Sequence, residues 1–142
     1  RRLRGRPGAR EHMIEVEARG RADTAPLVAR LVWACDRLGV GRGSMGLMLV
    51  GPDEMAVINR DHRGTPEPTD VLAFPVDGPE AAGWPADGPP PELGDVVICP
   101  EAAREPLETL AVHGLLHLLG YDHETDEGEM LALQDRLVAD IP

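Results

Sequence analysis

Residues 106–119, PLETLAVHGLLHLL, are apolar on nearly every side of a helical wheel, and this stretch limits the architecture more than any other part of the chain. A helix of this kind does not lie on a surface, because a surface helix keeps one face polar. It needs cover on more than one side, so the fold must pack at least two layers around it. Pro106 stands near its start, where the missing N–H costs nothing, and Gly120 marks its end. Two imidazoles, His113 and His117, sit inside this apolar segment, and a third, His123, follows three residues past the glycine.

Upstream, strand and helix patterns alternate. MIEVEA (13–18) alternates apolar and acidic residues, as a strand with one wet face does. APLVARLVWACDRL (25–38) has apolar residues at helical spacing, with Thr24 as its cap, Pro26 in its first turn and Gly39 as its stop. SMGLMLVG (44–51) reads as a buried strand, and PDEMAVINRDH (52–62) as a short helix opened by a proline and two acids. Residues 63–69 read as loop, TDVLAFPV (69–76) as a short strand, and 77–92 as a Pro/Gly-rich connector, either mobile or one wall of a site. LGDVVIC (93–99) is a further strand. A final amphipathic helix begins near Asp126, with Glu129 as capping-box partner and Met130, Leu133 and Leu137 on one face. The order β-α-β-α-β-β-α-α predicts one α/β or α+β layered domain over residues 13–142. A chain of 142 residues buries enough surface to fold without a metal or disulfide, so a metal bound here is expected to be functional.

Charge divides unevenly. Residues 1–76 carry 12 Arg and 10 acids, whereas residues 77–142 carry 2 Arg and 15 acids, within a net −11. That balance opposes wholesale wrapping of nucleic acid, although the first half can still face an anion. Five of the Arg lie in RRLRGRPGAR, and residues 1–12 read as a flexible basic arm or an expression remnant, with Met13 a candidate natural start. No apolar run approaches the ~20 residues that cross a bilayer, so a cytoplasmic protein without membrane contact is expected. Cys35 and Cys99 each sit in an apolar stretch and read as buried reduced thiols.

The chemistry concentrates in HGLLHLLGYDH (113–123), which holds three of the five histidines. His113 and His117, four apart on a helix, lie ~40° apart around its axis and about 6 Å along it, close enough to share one ion. Gly120 lets the chain turn sharply and bring His123 back over the same spot. Three imidazoles with an open fourth position fit a catalytic ion better than a structural one, whose fourth ligand Cys99 would have to supply through folding. The HxxxHxxGxxH spacing is zincin-like, but metallopeptidases with it carry a Glu after the first His as general base, and here that position is Gly114.

HGLLHLLGYDH also resembles the signature of the YbeY family of bacterial endoribonucleases, HGxLHLxGYDH, at every specified position. NRDHRGTPEPTDVLAFP (59–75) is similar to that family's Asn, Arg and TDVLSFP segment, and LGDVVICPE (93–101) to its LGDIVIC strand. The resemblance implies an α+β fold with a mixed four-stranded sheet packed by helices. It implies zinc held by His113, His117 and His123, and Arg63 as the catalytic cation. The implied activity is single-strand-specific RNA cleavage in maturation of the 3′ end of small-subunit ribosomal RNA and in ribosome quality control. The implied partners are the small ribosomal subunit, an associated protein and a GTPase. A metal and a guanidinium also suit a phosphodiester, whose transition state gathers negative charge on its non-bridging oxygens. Thr69 and Asp70 either orient that loop and Arg63 or serve a plain turn, Asp122 either supports an imidazole or is simply exposed, and Asp95 reads as structural. The chain departs from the family at Ala73, where Ser is usual, at His62, where an aromatic usually precedes the Arg, and between Arg104 and Pro106, where relatives carry a longer segment. Two rival readings are a metallopeptidase and a noncatalytic ribosome-binding module with structural zinc.

Overall fold

A computed structural model describes residues 13–20, 23–65 and 69–142. The basic arm expected over residues 1–12 lies outside the described residues. Four strands, β1 (Met13–Gly20), β2 (Arg42–Leu49), β3 (Val71–Pro75) and β4 (Glu92–Ile98), form one mixed sheet in the order β1-β2-β4-β3. β1, β2 and β4 run parallel, and β3 pairs antiparallel with β4, Val71 opposite Ile98. The helices are α1 (Ala25–Arg37), α2 (Pro52–Arg63), α3 (Leu107–Leu118) and α4 (Glu129–Asp140). This is the α+β, four-stranded mixed sheet with packed helices that the sequence resemblance implied.

Strand β2 shows the period-2 pattern directly: Gly43, Met45, Leu47 and Leu49 are buried, and the residues between them are half-buried. The main core joins that buried face to Val96 and Ile98 of β4, Leu27 and Leu31 of α1, and Leu110, Leu115 and Leu118 of α3. α4 covers the other side of α3, through Val112, Leu116, Met130 and Leu137. α3 is therefore sandwiched between sheet and helix, which is why its sequence is apolar all round. α2 belongs to a second cluster, in which Met55 packs with Val50, Leu72, Val97 and Cys99.

Local details differ from the sequence reading in three places. Thr24 is the N-cap residue of α1, but its side chain bonds no backbone N–H there; Asp23 Oδ1 accepts from Ala25 N at 3.1 Å. Arg63 is the last residue of α2 rather than a loop residue, because helical hydrogen bonding runs on until Gly64 closes it with N donating to Arg60 O at 2.9 Å. The Pro/Gly-rich connector contains a 3-10 turn at Gly78–Gly83. Arg42 pins it, donating to the carbonyls of Pro85, Ala86 and Gly88, and Trp84 Nε1 donates to Pro89 O. Of the two readings left open for this loop, the structure gives the wall: Pro79 lines the cleft described next.

Candidate metal centre

His113 and His117 rise from one stripe of α3, both half-buried, with ring centroids 4.7 Å apart. The helix then ends in a Schellman motif: Tyr121 N donates to Leu116 O at 3.0 Å and Gly120 N to His117 O at 3.1 Å. Gly120 adopts φ +100°, a region that L side chains avoid, so glycine is what permits the reversal. Past it, Asp122 Oδ1 accepts from Glu124 N at 3.0 Å, and Asp126 N donates to Asp122 O, which folds residues 122–126 into a tight turn. Asp126 then accepts from Gly128 N and Met130 N, and α4 starts at Glu129 behind an N-cap at Gly128, three residues later than the start near Asp126 that the sequence suggested. The turn carries His123 back to ring distances of 5.1 Å from His113 and 5.2 Å from His117.

One ligand atom from each of the three rings lies within 4.8 Å of the other two, and among the described residues no other His, Cys, Asp or Glu joins this group. Cys99 is buried in the separate cluster around Met55, so it does not close a tetrahedron here. The donor set fits a borderline divalent ion: three neutral imidazole nitrogens could ligate one metal from one side. Burial, with the neighbouring His113 charge second, holds His117 below the ordinary 6.5, partly offset by the Tyr121 carbonyl, so that its ring is neutral and able to ligate at neutral pH. His117 Nδ1 donates to Tyr121 O at 3.0 Å, which leaves Nε2 as the lone-pair nitrogen.

The cup opens into a cleft of about 490 Å³ whose wall includes Arg63, Thr69 and Asp70 as well as the three His and Asp122. Arg63 reaches it from the C-terminus of α2, and Thr69 and Asp70 from the segment leading into β3. Asp70 O accepts from Cys99 N at 2.9 Å, tying the start of β3 to the end of β4. Asp122 shapes the loop under His123 through its bond to Glu124 N. Asp95 is on the sheet's opposite face, beside Gly46, Glu15 and Glu17, away from the cleft.

Gly114 settles why the helix carries no carboxylate after His113. A Cβ there would sit 2.6 Å from Val96 Cγ1 and 3.0 Å from Cγ2, so α3 lies against β4 only with glycine at this position. A Glu has no room, and the general base of the metallopeptidases is absent from its place. Sequence reasoning gave no role to three cleft residues: His62, whose ring packs tilted against Phe74 with centroids 4.4 Å apart, Tyr121 and Glu124. Their signal was adjacency to Arg63 and His123.

A match to the family described as "Endoribonuclease YbeY" spans residues 31–142. The chain belongs to the YbeY endoribonuclease family. Endoribonuclease YbeY of Salinispora tropica is 40% identical over 148 aligned positions, covering 89% of this chain and 92% of the relative. The Cutibacterium acnes YbeY is 40% identical, covering 80% and 82%. A solution structure of TM1509 from Thermotoga maritima superimposes with a TM-score of 0.54 at 29% identity, over 89% of this chain and 87% of that one. As a YbeY-family endoribonuclease, the chain acts on RNA. Among the described residues, no helix is long and apolar enough to cross a membrane.

Proposed function

We propose that this chain is a zinc-dependent endoribonuclease that cuts single-stranded RNA, with the 3′ end of small-subunit ribosomal RNA as substrate and a part in ribosome quality control. It works in the cytoplasm, on the small ribosomal subunit and in company with an associated protein and a GTPase, as its sequence resemblance implies. The observation that carries the enzymatic part is the meeting of a three-imidazole cup and Arg63 in one cleft.

His113, His117 and His123 would hold the ion. Bound there, zinc supplies Lewis acidity toward a phosphoryl oxygen and lowers the pKa of water. Arg63 has the fork of donors that grips two phosphate oxygens at once. Its guanidinium binds and orients the scissile phosphate, then meets the negative charge that grows on the non-bridging oxygens. Asp70, whose carbonyl accepts from Cys99 N, ties the start of β3 to the wall of the cleft that Arg63 and Thr69 also line. The cleft otherwise holds three carboxylates, Asp70, Asp122 and Glu124, against that one guanidinium, a formal −2 that a divalent cation cancels. RNA binding as well as cleavage therefore depends on the ion.

The test is cleavage of a 3′-extended ribosomal RNA fragment by the parent and by Arg63→Ala, with zinc content measured on both. Loss of most cleavage with zinc retained is expected. Full cleavage by Arg63→Ala removes this residue from the mechanism, and cleavage of casein instead of RNA overturns the reading.

A further inference from the structure

We infer that Gln134 is a positioning residue for the metal centre: its side-chain carbonyl holds His113 as the Nδ1–H tautomer, so that Nε2 alone is presented to the cup. The inference rests on the reading of the cup as a metal site and adds a residue from a different helix to it. Gln134 lies on α4, is 6% exposed, and shares its buried stripe with Met130 and Leu137. A buried amide in an apolar stripe costs free energy unless its polar atoms are bonded. Here Gln134 Oε1 lies 2.7 Å from His113 Nδ1. An amide oxygen only accepts, so Nδ1 must carry the proton and Nε2 the lone pair. The reverse orientation, with the amide nitrogen donating to Nδ1, would leave Nε2 protonated and unable to ligate. His117 is set the same way by Tyr121 O at 3.0 Å. A backbone carbonyl thus orients one ring and a side chain from α4 the other, the arrangement that raises ligand basicity and fixes ring direction in metal sites. It also couples the docking of α4 on α3 to the shape of the cup.

The experiment compares the full chain with Gln134→Met, which keeps bulk but removes the acceptor, and Gln134→Glu, which keeps an acceptor. Zinc affinity is read by competition with a chromophoric chelator, apo melting temperature by calorimetry, and the His113 tautomer in the apo protein by long-range proton–nitrogen correlation. Gln134→Met is expected to lose roughly 10–100-fold in zinc affinity with an apo melting temperature near the parent's, and Gln134→Glu to bind at least as tightly as the parent. In the parent, His113 is expected as the Nδ1–H form, and in Gln134→Met as a mixture. Zinc binding by Gln134→Met within twofold of the parent, equal losses in both variants, or an Nε2–H His113 in the parent overturns the inference. If Gln134→Met does not fold, Gln134→Glu affinity and the parent's tautomer decide it. A parent that takes up no zinc refutes the proposed function, while the tautomer still tests Gln134 separately.

Discussion

The approach of α3 to β4 sets where the imidazole cup sits relative to Arg63, and one methyl group tests it. In Gly114→Ala the new Cβ would lie 2.6, 3.0 and 3.3 Å from Val96 Cγ1, Cγ2 and Cβ, against an optimum of about 3.5–4.0 Å between carbons. Val96 is fully buried, so neither group can swing into solvent. Overpacking of this sort costs about 1–3 kcal/mol, while replacing a helical Gly by Ala returns about 1 kcal/mol of propensity. The net is a destabilisation of about 1 kcal/mol. Val96→Ala alone loses two buried methyl groups, about 2 kcal/mol with its cavity. In the double variant the methyl introduced at position 114 occupies the space that the valine vacates, so the two effects couple by at least about 1 kcal/mol in the stabilising direction. Urea unfolding of chelator-treated protein measures all four corners, with an unchanged m-value as the condition for comparison. A Gly114→Ala protein more stable than the parent, with effects strictly additive in the double variant, would refute the close-packing argument.

Four further outcomes follow from the same structure. Gly120→Ala forces a side chain into φ +100° and is expected to cost about 1–3 kcal/mol and to weaken zinc binding, because the turn that returns His123 loosens; denaturation and a zinc titration check both. His117 holds its proton more weakly folded than unfolded, so the unfolded state carries more protons below pH 6.5. The metal-free protein should thus have this contribution in full above that pH and lose it as pH falls, a slope that His117→Gln flattens in melting curves. Removing zinc with a chelator should leave a cooperative unfolding transition, since the core around Leu31, Leu47 and Leu115 is built without it; collapse of the fold would favour a structural ion. Burial pushes the Cys35 thiol up to about 12, so a thiol reagent should label it only as the protein unfolds; prompt labelling of the native state contradicts that burial.

Much of this was legible because burial leaves periodic marks. The apolar run of β2 and the all-round apolarity of α3 both follow from burial, so sequence alone places both elements, although the one-face alternation of β2 shows only in the structure. The pair His113 and His117 was legible for the same reason, and Gly120 announced the turn that returns His123. The order β1-β2-β4-β3 left no such mark, because pairing partners are chosen by non-local contacts. Arg63 looked like a loop residue because the following Gly and Pro signal a turn, yet the helix runs to the residue before Gly64. Thr24 stands at the N-cap of α1 as its spacing suggested, but the side chain that bonds the first turn is Asp23, through Ala25 N, a local choice that spacing does not resolve. Gln134 carried a signal that was missed: it stands four residues after Met130 and three before Leu137, a polar side chain inside an apolar stripe.

Three imidazoles from α3 and its following loop are expected to hold one ion with a position left open. X-ray absorption on the zinc-loaded protein reads that shell directly. Three nitrogen scatterers near 2.0–2.1 Å with one exchangeable oxygen, reduced to two nitrogens in His123→Ala, is the predicted result. A sulfur scatterer near 2.3 Å, or a fourth protein nitrogen in the parent, would contradict it.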